Sequence, residues 1–230
     1  MDDAPEGWLD PARREAFRAR CVEEIPEGYS PLGHLAIPSL TGLGVAAACV
    51  ASLRGLEPLE LLAVPAMYLL SNATEWRAHK DLLHRRRWPF QVLYDRHTPT
   101  HHRIYHTEDM AVRSRREWRL VLLPAYGVAL IALGTFPLAF GLSRWLGRNV
   151  AALTLATGML YVVSYEWLHL AYHLPEEHPV ARIGLVKRLR QHHARHHDPR
   201  LMQRWNFNVT VPLWDLVRGT FWRPPPSVGA

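Results

Sequence analysis

Three stretches of the chain run for the length of a helix without a charged side chain. Leu35 to Leu53 holds 19 such residues and Leu120 to Leu142 holds 23. Val150 to Tyr165 is the third, and it runs on into Glu166, Trp167 and His169. A bilayer core about 30 Å thick takes about 20 mostly apolar residues of helix. Each stretch therefore predicts a membrane-spanning helix rather than a buried helix of a soluble bundle. Leu59 to Thr74 is a weaker fourth, with Glu60 inside its start and Asn72 near its end. It predicts the returning arm of a hairpin with the first span.

Four spans return both termini to one side. Of the 27 Lys and Arg, only Arg54, Arg144 and Arg148 fall in the two short loops on the opposite side. Positive excess marks the cytoplasmic side, so the termini and every polar segment between the hairpins are expected there. The net charge of +6 and a pI near 9.7 raise nucleic acid as a partner. Yet the basic residues flank the spans, as in Arg85-Arg86-Arg87-Trp88 and Arg113 to Arg119, and anionic headgroups account for them. No nucleic-acid partner is expected. The fold class that follows is an all-α integral membrane protein of the cell inner membrane or its equivalent. It has about four transmembrane helices and a cytoplasmic, histidine-rich helical cap.

The ends are simpler. Met-Asp-Asp-Ala-Pro-Glu is acidic and lacks an apolar core, so no cleavable signal is expected. Asp10-Pro11 reads as an N-cap followed by proline at the first helical position. It starts a short amphipathic helix to about Glu24 that lies at the membrane surface. Residues 1–30 form this interfacial segment, 31–223 the main domain and 224–230 a frayed tail. Cys21 and Cys49 lie in the surface helix and the first span, and no disulfide is expected.

Fourteen histidines sit in the chain, and twelve fall in four tight groups. These are His79 and His84; His97, His101, His102 and His106; His169 and His173; and His192, His193, His196 and His197. Imidazole suits iron, zinc, copper and nickel, and one zinc needs four protein groups at most. So many nitrogens predict two metal ions with four or five histidines each. The second and fourth spans end alike, in Glu75-Trp76 and Glu166-Trp167, with His79 and His169 just beyond. Trp76 and Trp167 are expected to mark the membrane interface. His169 and His173 share a helix face, as do His193 with His197 and His192 with His196. His79 and His84 are about 140° apart on an ideal helix. They serve different metals unless the helix ends or bulges between them. Thr98 precedes Pro99 and is biased away from helical torsions, which predicts a helix end near His97. Glu75 and Glu166 are each placed to reach the free ring nitrogen of a ligand histidine and fix its tautomer. His34 and His178 stand apart as bystanders, and the zinc-protease motif His-Glu-x-x-His is absent.

In this order these motifs resemble the fatty acid hydroxylase and sterol desaturase superfamily of membrane di-iron oxygenases. The resemblance covers about Glu75 to Thr220. It rests on His79-x4-His84, His97-x3-His101-His102, Tyr165-Glu166-x2-His169-x3-His173 and His193-x2-His196-His197. Asn206-Phe207-Asn208 to Asp215, followed by Arg218-Gly219-Thr220, looks like the family's closing segment. Carried over, the resemblance implies those ten histidines as ligands, with His106 and His192 as additional candidates. Tyr165, Asn206 and Asn208 are then expected around them. It further implies two irons (zinc replacing them in purified material), molecular oxygen as co-substrate and a separate electron-transfer protein. The implied reaction hydroxylates an unactivated C–H bond of a lipid, a fatty acyl chain being the expected substrate.

A lipid desaturase or carotenoid ring hydroxylase shares this metal centre, and spacing does not separate them. A metal transporter is a different class. It needs ionisable ligands near mid-bilayer, whereas here the middles of the spans hold none.

Overall fold

A computed structural model of the protein describes residue 8 and residues 10–224. Among these the chain is helical, with no strand. Residues 1–7 of the expected interfacial segment and the tail beyond Pro224 lie outside the described residues.

The helices are α1 (Pro11–Glu23), α2 (Pro31–Ala51), α3 (Ala63–Ala78), α4 (Gln91–Arg96), α5 (His102–Ile104), α6 (Trp118–Val121), α7 (Ala125–Trp145), α8 (Arg148–Tyr172), α9 (Gly184–His196) and α10 (Leu213–Val217). Among the described residues three are long and apolar enough to cross a membrane: α2, α8 and Gly127–Trp145 of α7. α2 exposes Ile37 and Leu40, and α7 exposes Leu133, Phe136 and Phe140, apolar surface that water does not favour. α3 is shorter, at 16 residues, and is preceded by a 3-10 turn over Pro58–Leu62. Glu60, which weakens this stretch in the sequence, caps its start. Its carboxylate accepts from Glu57 N and from Asn149 Nδ2, each at 2.8 Å, and so ties the start of α3 to the start of α8.

α8 is the central helix and packs against α2, α3, α7 and α9. Small residues let the backbones approach, as helices in lipid require. A Cβ on Gly42 would stand 2.6 Å from Val163 Cγ2, and one on Gly158 would meet Met67 and Thr135 at 3.0 Å. Trp167 is half-exposed and donates from its indole to Ser39 Oγ at 2.9 Å. Trp76, expected at the lipid interface, is instead buried, with its indole donating to Thr220 Oγ1 at 2.9 Å.

The segments outside these long helices pack against them. Ile104, Tyr105, Val121 and Leu122 pack with Leu170 of α8 and Leu35 of α2. α1 begins as its sequence predicts, with the Asp10 carboxylate accepting from Ala12 N and Arg13 N. It is fixed to the segment before α6 by Arg18, which is buried and donates to Glu117 at 2.5 Å and to the Ala111 carbonyl at 2.7 Å.

Candidate metal centre

Local helix geometry decides how the histidines assemble. After α3 the chain continues as a π-helical turn, His79–Leu83, in which His84 N donates to the His79 carbonyl. A second π turn, His97–His101, follows α4 and brings His102 N to the His97 carbonyl. In such a turn residues five apart align. The His79 and His84 rings therefore stack, with centroids 5.1 Å apart. The bulge keeps the pair together, which an ideal α-helix would not. α4 ends at Arg96, next to His97, and His102 starts α5, but the π turn joins the two and Pro99 does not take the chain off its helical path. Pro99 has no N–H for the Asp95 carbonyl, and the Thr100 hydroxyl donates to that carbonyl instead, at 2.8 Å.

The ten histidines gather into two groups of five. One is His79, His84, His97, His102 and His196; the other is His101, His169, His173, His193 and His197. Within each group one ligand atom per residue lies within 4.8 Å of all the others. The first group uses pairs five apart on π turns. The second uses pairs four apart on ordinary helices, His169 with His173 and His193 with His197. Neighbours in sequence, His101–His102 and His196–His197, divide between the groups and hold them side by side.

All ten are at most 7% exposed. Burial, ahead of the neighbouring imidazoles, lowers the basicity of the nine that lie beyond the spans. It holds His101 down to about 3 and His196 to about 4, and it pushes His79, His84, His97, His102, His173, His193 and His197 well below the ordinary 6.5. Neutral imidazole is the form that binds metal.

Tautomers follow from the outer contacts. Nδ1–H donates to a backbone carbonyl in His79 (Phe207, 2.5 Å), His101 (Leu120, 2.9 Å), His173 (Met110, 2.7 Å), His196 (Trp205, 2.8 Å) and His197 (Tyr105, 2.5 Å). The Thr98 hydroxyl donates to the Leu83 carbonyl and so accepts from His84 Nδ1, at 3.1 Å. In these six rings Nε2 is left as a bare lone pair. Such carbonyl partners orient ligand imidazoles at metal sites.

The bare nitrogens face one another. His84 Nε2 and His196 Nε2 stand 2.9 Å apart, though both Nδ1 protons are already used. No hydrogen bond joins two acceptors, so a cation between them is the arrangement that makes this approach favourable. Close Nε2 pairs also join His79 to His97 (2.9 Å), His97 to His102 (3.0 Å) and His193 to His197 (3.0 Å), each inside one group. Two nitrogens bound to one ion at about 2.1 Å and at a right angle lie roughly 3.0 Å apart. Two buried nitrogens without a partner, His101 Nε2 and His173 Nε2, complete the fit to metal.

The remaining sequence candidates lie outside the two groups. His106 pairs with Arg14 at 3.3 Å, and His192 Nε2 donates to Asp215 at 3.1 Å. His34 bonds the Tyr29 hydroxyl and the Leu123 carbonyl, and the His178 ring accepts from Val180 N. Tyr165 is buried, its ring 5.8 Å from that of His169. Glu166 accepts from Leu123 N at 3.3 Å, and its other oxygen is buried without a partner. Glu75 does not turn to a histidine either. It accepts from Thr210 N at 3.0 Å, from Thr210 Oγ1 at 2.6 Å, and from Val209 N and Tyr161 OH.

Those contacts reveal what the closing segment does. Asn72, Glu75, Trp76 and His79 recur at three- and four-residue steps on one face of α3, and all four bond to it. Asn72 donates to the Val211 carbonyl at 2.8 Å and accepts from Trp214 N at 3.0 Å. Asn208 donates back to the Asn72 carbonyl at 3.0 Å, and Asn206, at φ +60°, donates to the His192 carbonyl at 3.0 Å. Asp215 is fully buried and accepts from Phe207 N, Asn208 N and Thr220 Oγ1. The loop is thereby fixed where the Phe207 and Trp205 carbonyls meet His79 and His196. Sequence reasoning missed Asn72, Thr98 and Tyr161 as site residues, and it gave Asp215 no role beyond its place in the closing segment. Of these Asn72 had a signal, a polar residue on the same face of an apolar helix as Glu75 and His79.

No curated protein and no solved structure is similar enough to the chain to count as a match. The profile described as fatty acid hydroxylase matches residues 64–220, which contain both histidine groups, α3 almost entire and the closing segment up to Thr220. The chain belongs to the fatty acid hydroxylase family.

Proposed function

We propose that this protein is a membrane di-iron oxygenase that hydroxylates an unactivated C–H bond of a fatty acyl chain. The observation that carries this reading is the pair of buried five-histidine groups, with His84 Nε2 and His196 Nε2 facing at 2.9 Å. Iron bound to these groups supplies oxygen activation, chemistry that side chains alone do not provide. His79, His84, His97, His102 and His196 hold one ion, and His101, His169, His173, His193 and His197 the other. The chain's own part is positional. Carbonyls of Leu120, Met110, Trp205, Phe207 and Tyr105 retain the Nδ1 protons and keep Nε2 toward the metal. The buried Ile104, Tyr105, Val121 and Leu122 keep bulk water from the centre.

The membrane arrangement we propose has four spans. α3 and the 3-10 turn before it form the second, their 16 and 5 residues continuing without a break. The charge asymmetry of the loops puts the termini and the metal centre on the cytoplasmic side, with α1 at the membrane surface. A separate electron-transfer protein would supply the electrons, and the basic cytoplasmic face would be its docking surface. Zinc replaces iron in overexpressed material, because imidazole sites favour zinc over iron(II).

The test supplies labelled oxygen gas and a reduced donor to membranes containing the protein. Label is expected in a hydroxylated lipid and is absent with His196→Ala. A desaturated product without label would instead make the protein a desaturase. Turnover that persists without oxygen would end the oxygenase reading.

A further inference from the structure

Two cavities meet at Arg96 and Pro124. The inner one, about 80 Å³, is lined by Leu83, Leu93, Leu120 and Leu123 and by His97 and His101. These two histidines come from different groups of five, so the inner cavity lies against the seam between them. The outer one, about 550 Å³, is lined by Tyr29, His34, Ile37, Arg96, Arg119 and Pro124. Ile37 belongs to α2 and is exposed on the face that the membrane would cover. The outer cavity is thus an apolar opening at the end of a candidate span, with Arg96 and Arg119 and, among the described residues, no Asp or Glu in its lining.

The polar groups there are held in place. His34 donates from Nε2 to the Leu123 carbonyl at 2.9 Å, so its Nδ1 accepts from the Tyr29 hydroxyl at 2.8 Å. Arg119 lies over the Tyr29 ring, 5.8 Å from its centre. Arg96 donates one N–H to the Arg119 carbonyl at 2.8 Å, which anchors its guanidinium where both cavities meet. Arginine forks match carboxylate and phosphate oxygens.

We infer that Arg96 and Arg119 form a subsite for the anionic head of a single-chain lipid, whose apolar part then borders the His97–His101 seam. This rests on the proposed lipid oxygenase reading but concerns recognition, so binding tests it apart from turnover. The inner cavity is about half the 150 Å³ of an engineered apolar cavity that takes up benzene. It therefore admits only a short stretch of chain beside the histidines.

The experiment measures equilibrium binding to the full-length, metal-loaded protein in neutral-lipid nanodiscs. The probes are palmitate, its neutral methyl ester and a palmitoyl lysophosphatidate. Palmitate or lysophosphatidate should bind more tightly than the ester, and the tighter of the two identifies the head as carboxylate or phosphate. Arg119→Gln should weaken the anionic probe about tenfold, the size of one charge-assisted hydrogen bond, and leave the ester unchanged. Arg119→Lys should recover part of the loss, and Arg96→Gln should act in the same direction. Metal content and melting temperature report folding in each variant. Equal affinity for anion and ester, or a folded Arg119→Gln that binds palmitate and lysophosphatidate as before, would overturn the assignment. Binding as inferred in a protein that does not oxygenate lipid would separate failure of the reaction from failure of the subsite.

Discussion

His84 Nε2 and His196 Nε2 stand 2.9 Å apart, while both rings spend their Nδ1 protons on other partners. Two lone pairs at that distance repel unless positive charge lies between them. On the proposed metal reading, binding and folding are coupled, because whatever binds the folded state alone stabilises it. Stripping metal with a chelator should lower the melting temperature markedly, and adding iron(II) or zinc back should restore it. An unchanged melting temperature would separate the histidine groups from stability.

The partner of His84 is a hydroxyl. Thr98→Val keeps the side-chain shape but removes the acceptor for His84 Nδ1. Removing an outer partner of a ligand histidine costs roughly 10–100-fold in metal affinity or activity. The loss should fall on the group of His84, and the group containing His173 should keep its ion. Competitive chelation of the variant resolves the two affinities. Equal weakening of both groups would count against the division into two groups of five.

The closing segment should act at a distance through Glu75. Its carboxylate collects Thr210 N, Thr210 Oγ1, Val209 N and Tyr161 OH, and His79 meets the same loop at the Phe207 carbonyl. Glu75→Gln replaces one accepting oxygen with a donor that faces other donors. Metal retention should drop by roughly 10–100-fold, whereas His178→Ala on the exposed turn should leave it unchanged. Comparable losses in the two variants would contradict this role for the loop.

Acid should unfold the metal-free protein through its histidines. Unfolded, they titrate near the ordinary 6.5; folded, His101 and His196 are held down to about 3 and about 4. Between those limits the unfolded chain binds more protons, so stability is full above about 6.5 and falls as pH falls. Melting temperature measured from neutral pH down to about pH 4 should decline steadily below about 6.5. A flat profile over that range would mean the histidines are not buried and neutral.

The sequence made the histidine groups legible because ligand residues sit at helix spacings beside apolar runs. The long helices α2, α7 and α8 were legible for the same reason, as uncharged stretches. The π turns were not, because backbone hydrogen bonding at His79–Leu83 and His97–His101 leaves no mark in residue type. The outcome for Pro99 depended on the Thr100 hydroxyl reaching the Asp95 carbonyl. Trp76 and Glu75 were read as an interface marker and a histidine partner from their place at a span's end. Both instead face the closing segment, which lies some 130 residues further along the chain. Local spacing does not report such long-range pairing.

The most direct test of the two-metal account is the metal content of folded, freshly purified protein. Elemental analysis should give about two ions per chain, one for each group of five histidines. His84→Ala and His173→Ala should each bring that number toward one, by emptying different groups. One ion or none in the unaltered, folded protein would contradict the account.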